Sequence, residues 1–274
     1  MGTRGDFDFG AGSVAEAYES DLVPVLFEPW AISLLGRYPH WHGRRVLDLG
    51  AGTGIVTRLL AQRVGSTGHV IAADVSAEML SQARLHCAAL EQSIDFVESG
   101  ADAIGIPESS VDVVVCQQSF QFFPDKPAAA REIHRVLRKE GRVMLSTWRP
   151  VSECEYFGVL CEVLTAIGEE EISDSMRLPF DFMPESELSA CFTSAGFSDV
   201  AVSVEHLPLV LPGGLPQAIQ LAYATPIGPK LQALSDDKQR RFRDTMAERV
   251  GELSQDGTDM GPMTANVLSA VKPS

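Results

Sequence analysis

Between residues 45 and 148, short apolar runs alternate with segments of helical periodicity, and this alternation limits the folds open to the chain more than any other property. Arg45-Val46-Leu47-Asp48-Leu49 predicts a buried strand closed by the turn Gly50-Ala51-Gly52-Thr53-Gly54, after which Ile55, Val56, Leu59 and Leu60 recur at helical spacing. Gly65 and Gly68 end that helix, and residues 69–73 read as a second strand. Ser76 can cap a helix carrying Met79, Leu80, Ala83, Cys87 and Leu90 on one face. A third strand is expected at 94–97 and a fourth, rich in β-branched residues, at 111–116. Ala130, Ile133, Val136 and Leu137 predict an amphipathic helix that Gly141 ends, and 142–148 the fifth strand. Strands alternating with helices require right-handed crossovers, hence a doubly wound α/β sheet, mostly parallel, with helices on both faces. Ligands of such sheets bind where the strands end at their carboxyl side.

Beyond residue 150 the pattern loosens. Helices are expected at 156–167, 185–195 and 229–253, and strands near 200–204 and 265–271. Pro212, Pro216, Pro226 and Pro229 break up the last connection, so residues 212–258 read as a helical insertion between two late strands. Upstream, Val14 to Leu35 has apolar residues suited to a cover, with Pro24 and Pro29 dividing it into short helical pieces. The expected organisation is a helical lid over 1–42, a ligand-binding core over 43–150, and a C-terminal part over 151–274 that completes the sheet and carries the insertion.

Charge narrows the partners. The 22 basic and 37 acidic residues leave a net charge of −15, the opposite of a phosphate-tracking surface, so nucleic acid and anionic membranes are not expected partners. The run Glu169-Glu170-Glu171 reads as a solvated loop or helix end. No apolar run approaches the roughly 18 residues of a membrane span, and the N-terminus lacks a signal-peptide core. Five cysteines without a CxxC pair argue against a disulfide framework and a zinc site, so a cytoplasmic protein without a bound metal is expected.

The glycine turn is the first candidate site. It lets backbone amides approach a ligand and presents the positive end of the following helix. The dinucleotide fingerprint would need Gly where Ile55 stands, and no phosphate-binding GxxxxGK[ST] motif occurs. Asp48 lies two residues before the first glycine, and Asp74 ends the second strand, where a carboxylate can accept two hydrogen bonds from a ribose diol.

Residues 46–54, the stretch Asp74-Val75-Ser76-Ala77-Glu78-Met79-Leu80, Asp102-Ala103 followed by Ile106-Pro107, and Glu132-Ile133-His134-Arg135-Val136-Leu137 leading to Gly141 together resemble the class I S-adenosylmethionine-dependent methyltransferases. The nearest branch is the small-molecule group related to quinone-biosynthesis methyltransferases. The resemblance implies a Rossmann-like, seven-stranded version of the sheet with helical cap elements. It also implies that Gly50, Ala51, Gly52 and Gly54 line the methionine part of the cofactor, Asp74 holds the ribose, Val75 and Met79 flank the adenine, and Asp102 with Ala103 meets the adenine amino group. Ala101 stands where the family often has Gly, and Arg142 where a second Gly often follows. Gln117 and Gln118 fall near the expected place of the sulfonium and the incoming acceptor.

The expected reaction is an in-line displacement in which an oxygen, nitrogen or carbon nucleophile of a small molecule takes the methyl group, leaving S-adenosylhomocysteine. None of the six histidines follows a core strand, so no catalytic base is assigned. Tyr18, Gln118 and Phe122 are the candidate acceptor-binding residues, while Phe122 shares with Phe27, Trp30, Phe120 and Phe123 an equal fitness for core packing. Two other readings fit the residues less well: a protein that binds the cofactor without transferring methyl, and an NAD-linked oxidoreductase, which Ile55 disfavours.

Overall fold

The computed structural model describes residues 16–90, 94–254 and 258–274. Residues 1–15 of the expected lid therefore lie outside the described residues, as do 255–257 of the expected insertion. Seven strands form one sheet: β1 (Arg45–Leu49), β2 (His69–Asp74), β3 (Ile94–Glu98), β4 (Val111–Gln117), β5 (Leu137–Trp148), β6 (Ser198–Val210) and β7 (Asp259–Val271), in the spatial order β3-β2-β1-β4-β5-β7-β6. The first five pair in parallel, with Leu49 opposite Ala73, Asp48 opposite Val115 and Gln117 opposite Ser146. Only β7 reverses direction, since Ser198 lies by Val271 and His206 by Thr264, which makes β6 run against β7 and so along the other strands. Glu140 N–H donates to the Lys272 carbonyl and Arg149 N–H to the Thr264 carbonyl, so β7 runs against β5. The expectation of a doubly wound, mostly parallel, seven-stranded sheet is met.

Burial explains why these runs became strands. Val46, Leu47, Val113, Val114 and Val115 are fully buried, as befits strands covered by helices on both faces. The chain builds β1, β2 and β3 outward in one direction, then returns to lay β4 on the other side of β1. The strand order reverses between β1 and β4, and it is there that an open α/β sheet has a crevice at its carboxyl edge.

The chain divides into two compact units. One holds Trp30–Thr147, Phe182–Glu205 and Ala265–Ser274, and with them most of the sheet. The other holds the described residues up to Pro29, those of Trp148–Asp181 and those of His206–Thr264, and is mainly helical. Within the helical unit the Tyr156 hydroxyl donates to the Ala218 carbonyl at 2.6 Å, Lys238 pairs with Glu169, and Gln220 donates to Asp21 at 3.0 Å. Glu170 and Glu171 occupy the first turn of the helix Glu170–Arg177, where carboxylates complement the helix dipole.

Three expectations are corrected. The helix expected to run to Gly141 stops at Val136, because Leu137 turns extended (ψ 140°) and pairs with Val111 as the first residue of β5. The four residues that follow bulge out before Arg142 meets Val113, with Glu140 at φ 61°. Pro24 does not divide the N-terminal segment. Tyr18–Phe27 is a π-helix with Pro24 inside it, and Glu28 N–H reaches back five residues to the Val23 carbonyl. The late strands are also longer than expected, thirteen residues each. Pro208 is accommodated in β6 because that strand lies at the sheet edge, where a missing N–H breaks no ladder.

Candidate functional site

All three glycines of the turn after β1 have positive φ, at 75°, 54° and 91° for Gly50, Gly52 and Gly54. Their surroundings differ. A side chain at Gly50 would lie 2.5 Å from Ser119 Cβ, and one at Gly54 3.1 Å from Ala83 Cβ, so both positions are kept small by packing. At Gly52 nothing lies within 4 Å, and the turn is open there. The amides are not free, contrary to the expectation that they approach a ligand. Gly50 and Ala51 N–H both donate to the Ala73 carbonyl, Gly54 N–H to the Ala51 carbonyl, and Gly52 N–H to Asp74 Oδ2 at 2.9 Å. Their directions are spent on holding the turn against β2. His86 Nδ1 and Arg58 Nη1 brace it further, both reaching the Thr53 carbonyl.

Asp74 joins two segments. Its Oδ2 accepts from Gly52 and its Oδ1 accepts from Ser76 N–H at 2.9 Å, so one carboxylate ties the glycine turn to the start of the helix Ala77–Cys87. Burial pushes its pKa above the usual carboxylate range, and the hydrogen bonds from Ser76, Gly52 and Val75 oppose the shift. Asp48 sits below the turn and is 1% exposed, accepting from the Thr57 hydroxyl at 2.6 Å. It also accepts from the Thr57 backbone, capping from outside a helix (Ile55–Val64) whose own N-cap, Gly54, has no side chain. Burial, reinforced by the negative charge of Asp74, raises the Asp48 pKa to about 7 against the pull of Thr57. Val75, beside Asp74, is 75% exposed, whereas Met79 is 6% exposed and packed inside.

The loop after β3 carries Ala101, buried, and Asp102 and Ala103, both exposed. Its conformation is fixed from the helix Lys126–Val136. Glu132 Oε2 accepts from Ile104 N–H at 2.9 Å, while the Arg135 guanidinium donates to the carbonyls of Ile104 at 2.8 Å and Ile106 at 3.0 Å. Glu132 and Arg135 also pair with each other at 2.7 Å, which lowers the Glu132 pKa and raises that of Arg135. The stretch Glu132 to Leu137 thus acts as a latch on the 102–107 loop, a role the sequence reading did not assign.

At the end of β4, Gln117 and Gln118 are 7% and 4% exposed. Gln118 leaves the strand with φ 52°, its N–H donating to the Ser146 carbonyl at 2.9 Å. Ser119 Oγ lies 3.1 Å from the Gly50 carbonyl and 3.0 Å from that of Gln117, pinning this turn to the first. Phe120 is fully buried against Phe123 and Phe192, which makes it core, while Phe122 is half-buried at the end of the same 3-10 turn. Among the described residues, Ser99 Oγ, both amide atoms of Gln118, Ser146 Oγ and Thr147 Oγ1 are enclosed without a hydrogen-bond partner. All lie at carboxyl ends of β3, β4 and β5. Ser146 was not singled out from the sequence, because a serine inside an apolar strand carries no signal of its own.

The sheet-bearing unit therefore brings together fourteen of the expected site residues, Asp48, Gly50, Ala51, Gly52, Gly54, Asp74, Val75, Met79, Ala101, Asp102, Ala103, Gln117, Gln118 and Phe122, at the tips of β1 to β4. Tyr18 belongs to the helical unit, where its ring lies 4.9 Å from that of Phe27, itself 6.5 Å from Trp148.

A doubly wound sheet with a glycine turn after β1 and an acidic residue ending β2 is shared by dinucleotide-binding enzymes and class I S-adenosylmethionine-dependent methyltransferases, and comparison with known proteins decides for the methyltransferases. Residues 46–141 match the model of the family described as a methyltransferase domain. The ubiquinone/menaquinone biosynthesis C-methyltransferase UbiE of Xanthomonas oryzae pv. oryzae (strain MAFF 311018) is 32% identical over 230 residues, covering 72% of this chain and 90% of that one. UbiE of Stenotrophomonas maltophilia (strain R551-3) is 32% identical over 169 residues, 57% of this chain and 66% of that one. In structure, a Haemonchus contortus phosphoethanolamine N-methyltransferase 2, solved with phosphomonomethylethanolamine and S-adenosylhomocysteine, superposes with a TM-score of 0.64. It is 17% identical, over all of this chain and 61% of that one, a likeness of fold. The chain belongs to the S-adenosylmethionine-dependent methyltransferases, in the group related to the quinone-biosynthesis enzymes, and its reaction is methyl transfer from S-adenosylmethionine. Among the described residues no helix is long and apolar enough to cross a membrane.

Proposed function

We propose that this enzyme holds S-adenosylmethionine along the tips of β1 to β4 and methylates a small-molecule acceptor. The observation that carries the placement is the Asp74 carboxylate, joined to Gly52 beside open space and followed by the exposed Val75. A carboxylate has about four lone-pair positions, so Asp74 can accept backbone N–H groups and still receive ribose hydroxyls. The open space at Gly52 admits the methionine part of the cofactor, and Val75 offers an apolar face to the adenine. Asp102, exposed on the latched loop, accepts from the adenine amino group. Gly50, Gly54, Ala51, Met79 and Ala101 shape the surface from behind, and buried Asp48 supports the turn.

When bound, the cofactor supplies an electrophilic methyl group on a positively charged sulfur. The chain contributes alignment and exclusion of water, a share that reaches roughly 7–11 kcal/mol in well-oriented systems. Gln117 and Gln118 stand closest to the transfer, with Phe122 as an apolar wall for the acceptor. Four of the five cysteines are buried and all five are unpaired, which supports a reducing, cytoplasmic setting. The net charge of −15 favours a small acceptor over nucleic acid.

Calorimetry with S-adenosylhomocysteine tests the placement. Asp74→Asn should weaken binding about 10- to 150-fold, the worth of one charge-assisted hydrogen bond. Unchanged affinity in that variant would remove Asp74 from the site.

A further inference from the structure

A buried hydroxyl or amide that bonds to nothing destabilises the chain that carries it, so several in one place point to a ligand. Among the described residues, Gln118 and Ser146 supply three such atoms, the two amide atoms of a side chain 4% exposed and a hydroxyl 1% exposed. The two residues are joined through the backbone, Gln118 N–H to Ser146 C=O, and the register sets their level. Gln117 is opposite Ser146, so Gln118 lies one residue past that pair, where β4 ends beside β5. Gln118 also holds a left-handed backbone conformation that costs energy in any residue with a side chain, and such strain concentrates at ligand clamps.

On the methyltransferase reading above, on which it rests, we propose that Gln118 and Ser146 form a charge-free subsite for the methyl acceptor, which takes an uncharged molecule through its hydroxyl or carbonyl groups. The amide offers two donors and an acceptor, and the hydroxyl one donor and two lone pairs, enough to hold a neutral oxygen function from both sides. Neither supplies a counter-charge. An ammonium or carboxylate buried against them would lose its hydration without compensation. Thr147 is 2% exposed and its hydroxyl is equally without a partner. Alternation along β5 turns it to the opposite face of the sheet, the side of Val143 and Leu145, so it serves as an internal comparison.

Three variants of the full chain test the subsite: Ser146→Ala, Gln118→Leu and Thr147→Val. Each is measured for urea stability without ligand, for S-adenosylhomocysteine affinity, and for methyl transfer to catechol, sarcosine and phosphoethanolamine. Ser146→Ala and Gln118→Leu should unfold at an equal or higher urea concentration than the parent and bind S-adenosylhomocysteine within twofold of it. They should raise the KM for catechol at least tenfold, with Thr147→Val within twofold. A lower urea midpoint would make the pair structural, a tenfold loss of S-adenosylhomocysteine affinity would give it to the cofactor, and preferred turnover of sarcosine or phosphoethanolamine would contradict its neutrality. If no panel compound is methylated, the stability and affinity readings decide: both preserved supports the subsite, loss of either overturns it. A parent chain that binds no S-adenosylhomocysteine fails the methyltransferase reading instead, which separates the two.

Discussion

Gly50, Gly52 and Gly54 share one turn but answer to different constraints, and substitution separates them. An alanine at Gly52 meets no neighbour and bears only the left-handed strain of roughly 1–2 kcal/mol, so the fold should survive while the methyl group fills the proposed ligand space. Gly50→Ala places its methyl against Ser119 and should lower the thermal midpoint more than Gly52→Ala does. S-adenosylhomocysteine calorimetry and thermal melts check both, and a larger affinity loss at Gly50 among equally folded variants would contradict the assignment. Asp48 carries a pH signature. Its pKa is raised in the folded chain from 3.8 to about 7, so the neutral form is favoured by folding, and the stability it contributes is full below 3.8 and lost progressively as pH rises from there through about 7. Between pH 6 and 8 the parent should lose on the order of 1 kcal/mol that Asp48→Asn does not lose, read from urea midpoints. These residues were legible in the sequence as types at fixed spacings. Their surroundings were not, since nothing in the string Gly50-Ala51-Gly52 says that one glycine faces a serine and the other open space.

Elements of strong periodicity were legible, and those set by distant pairing were not. β1, β2 and β4 read directly because an apolar β-branched run bounded by glycine has few other uses. The start of β5 was hidden because Leu137 fits the helical face of Ala130 and Ile133, and only pairing with Val111 decides against the helix. β6 and β7 run beyond the expected 200–204 and 265–271 and include Pro208 and Gly261-Pro262, residues that a sheet edge or a strand end tolerates. The latch from the helix Lys126–Val136 was invisible for a related reason: Glu132 and Arg135 lie three apart on one helix and read as an ordinary surface pair. Their partners are backbone groups of a loop about thirty residues upstream. Arg135→Ala removes two hydrogen bonds to that loop and one salt bridge, so it should cost about 1–3 kcal/mol of stability. It should also weaken S-adenosylhomocysteine binding several-fold, because Asp102 rides on the loop. Arg135→Lys, a point charge without the fork, should recover stability less than fully. A variant that loses stability while keeping full affinity would show that the loop does not touch the cofactor.

For the whole molecule, the two compact units bear on how a ligand should register in unfolding. The proposed cofactor contacts all belong to the unit that holds most of the sheet, while the helical unit has its own apolar interior, with Leu160, Leu221, Phe242 and Met246 fully buried. S-adenosylhomocysteine at a hundred times its dissociation constant stabilises the state that binds it by about 2.7 kcal/mol. In a chain that unfolds in one step, this corresponds to a rise of roughly 5–11 °C at about 2–4 °C per kcal/mol. If the units unfold separately, calorimetry should show two transitions, with the upward shift confined to the one that reports the sheet. NAD at the same concentration should move neither, since Ile55 stands where the dinucleotide turn needs glycine. A rise with S-adenosylhomocysteine confined to the helical transition would place the cofactor away from the tips of β1 to β4, and with it would go the roles given to Gly52, Asp74 and Asp102.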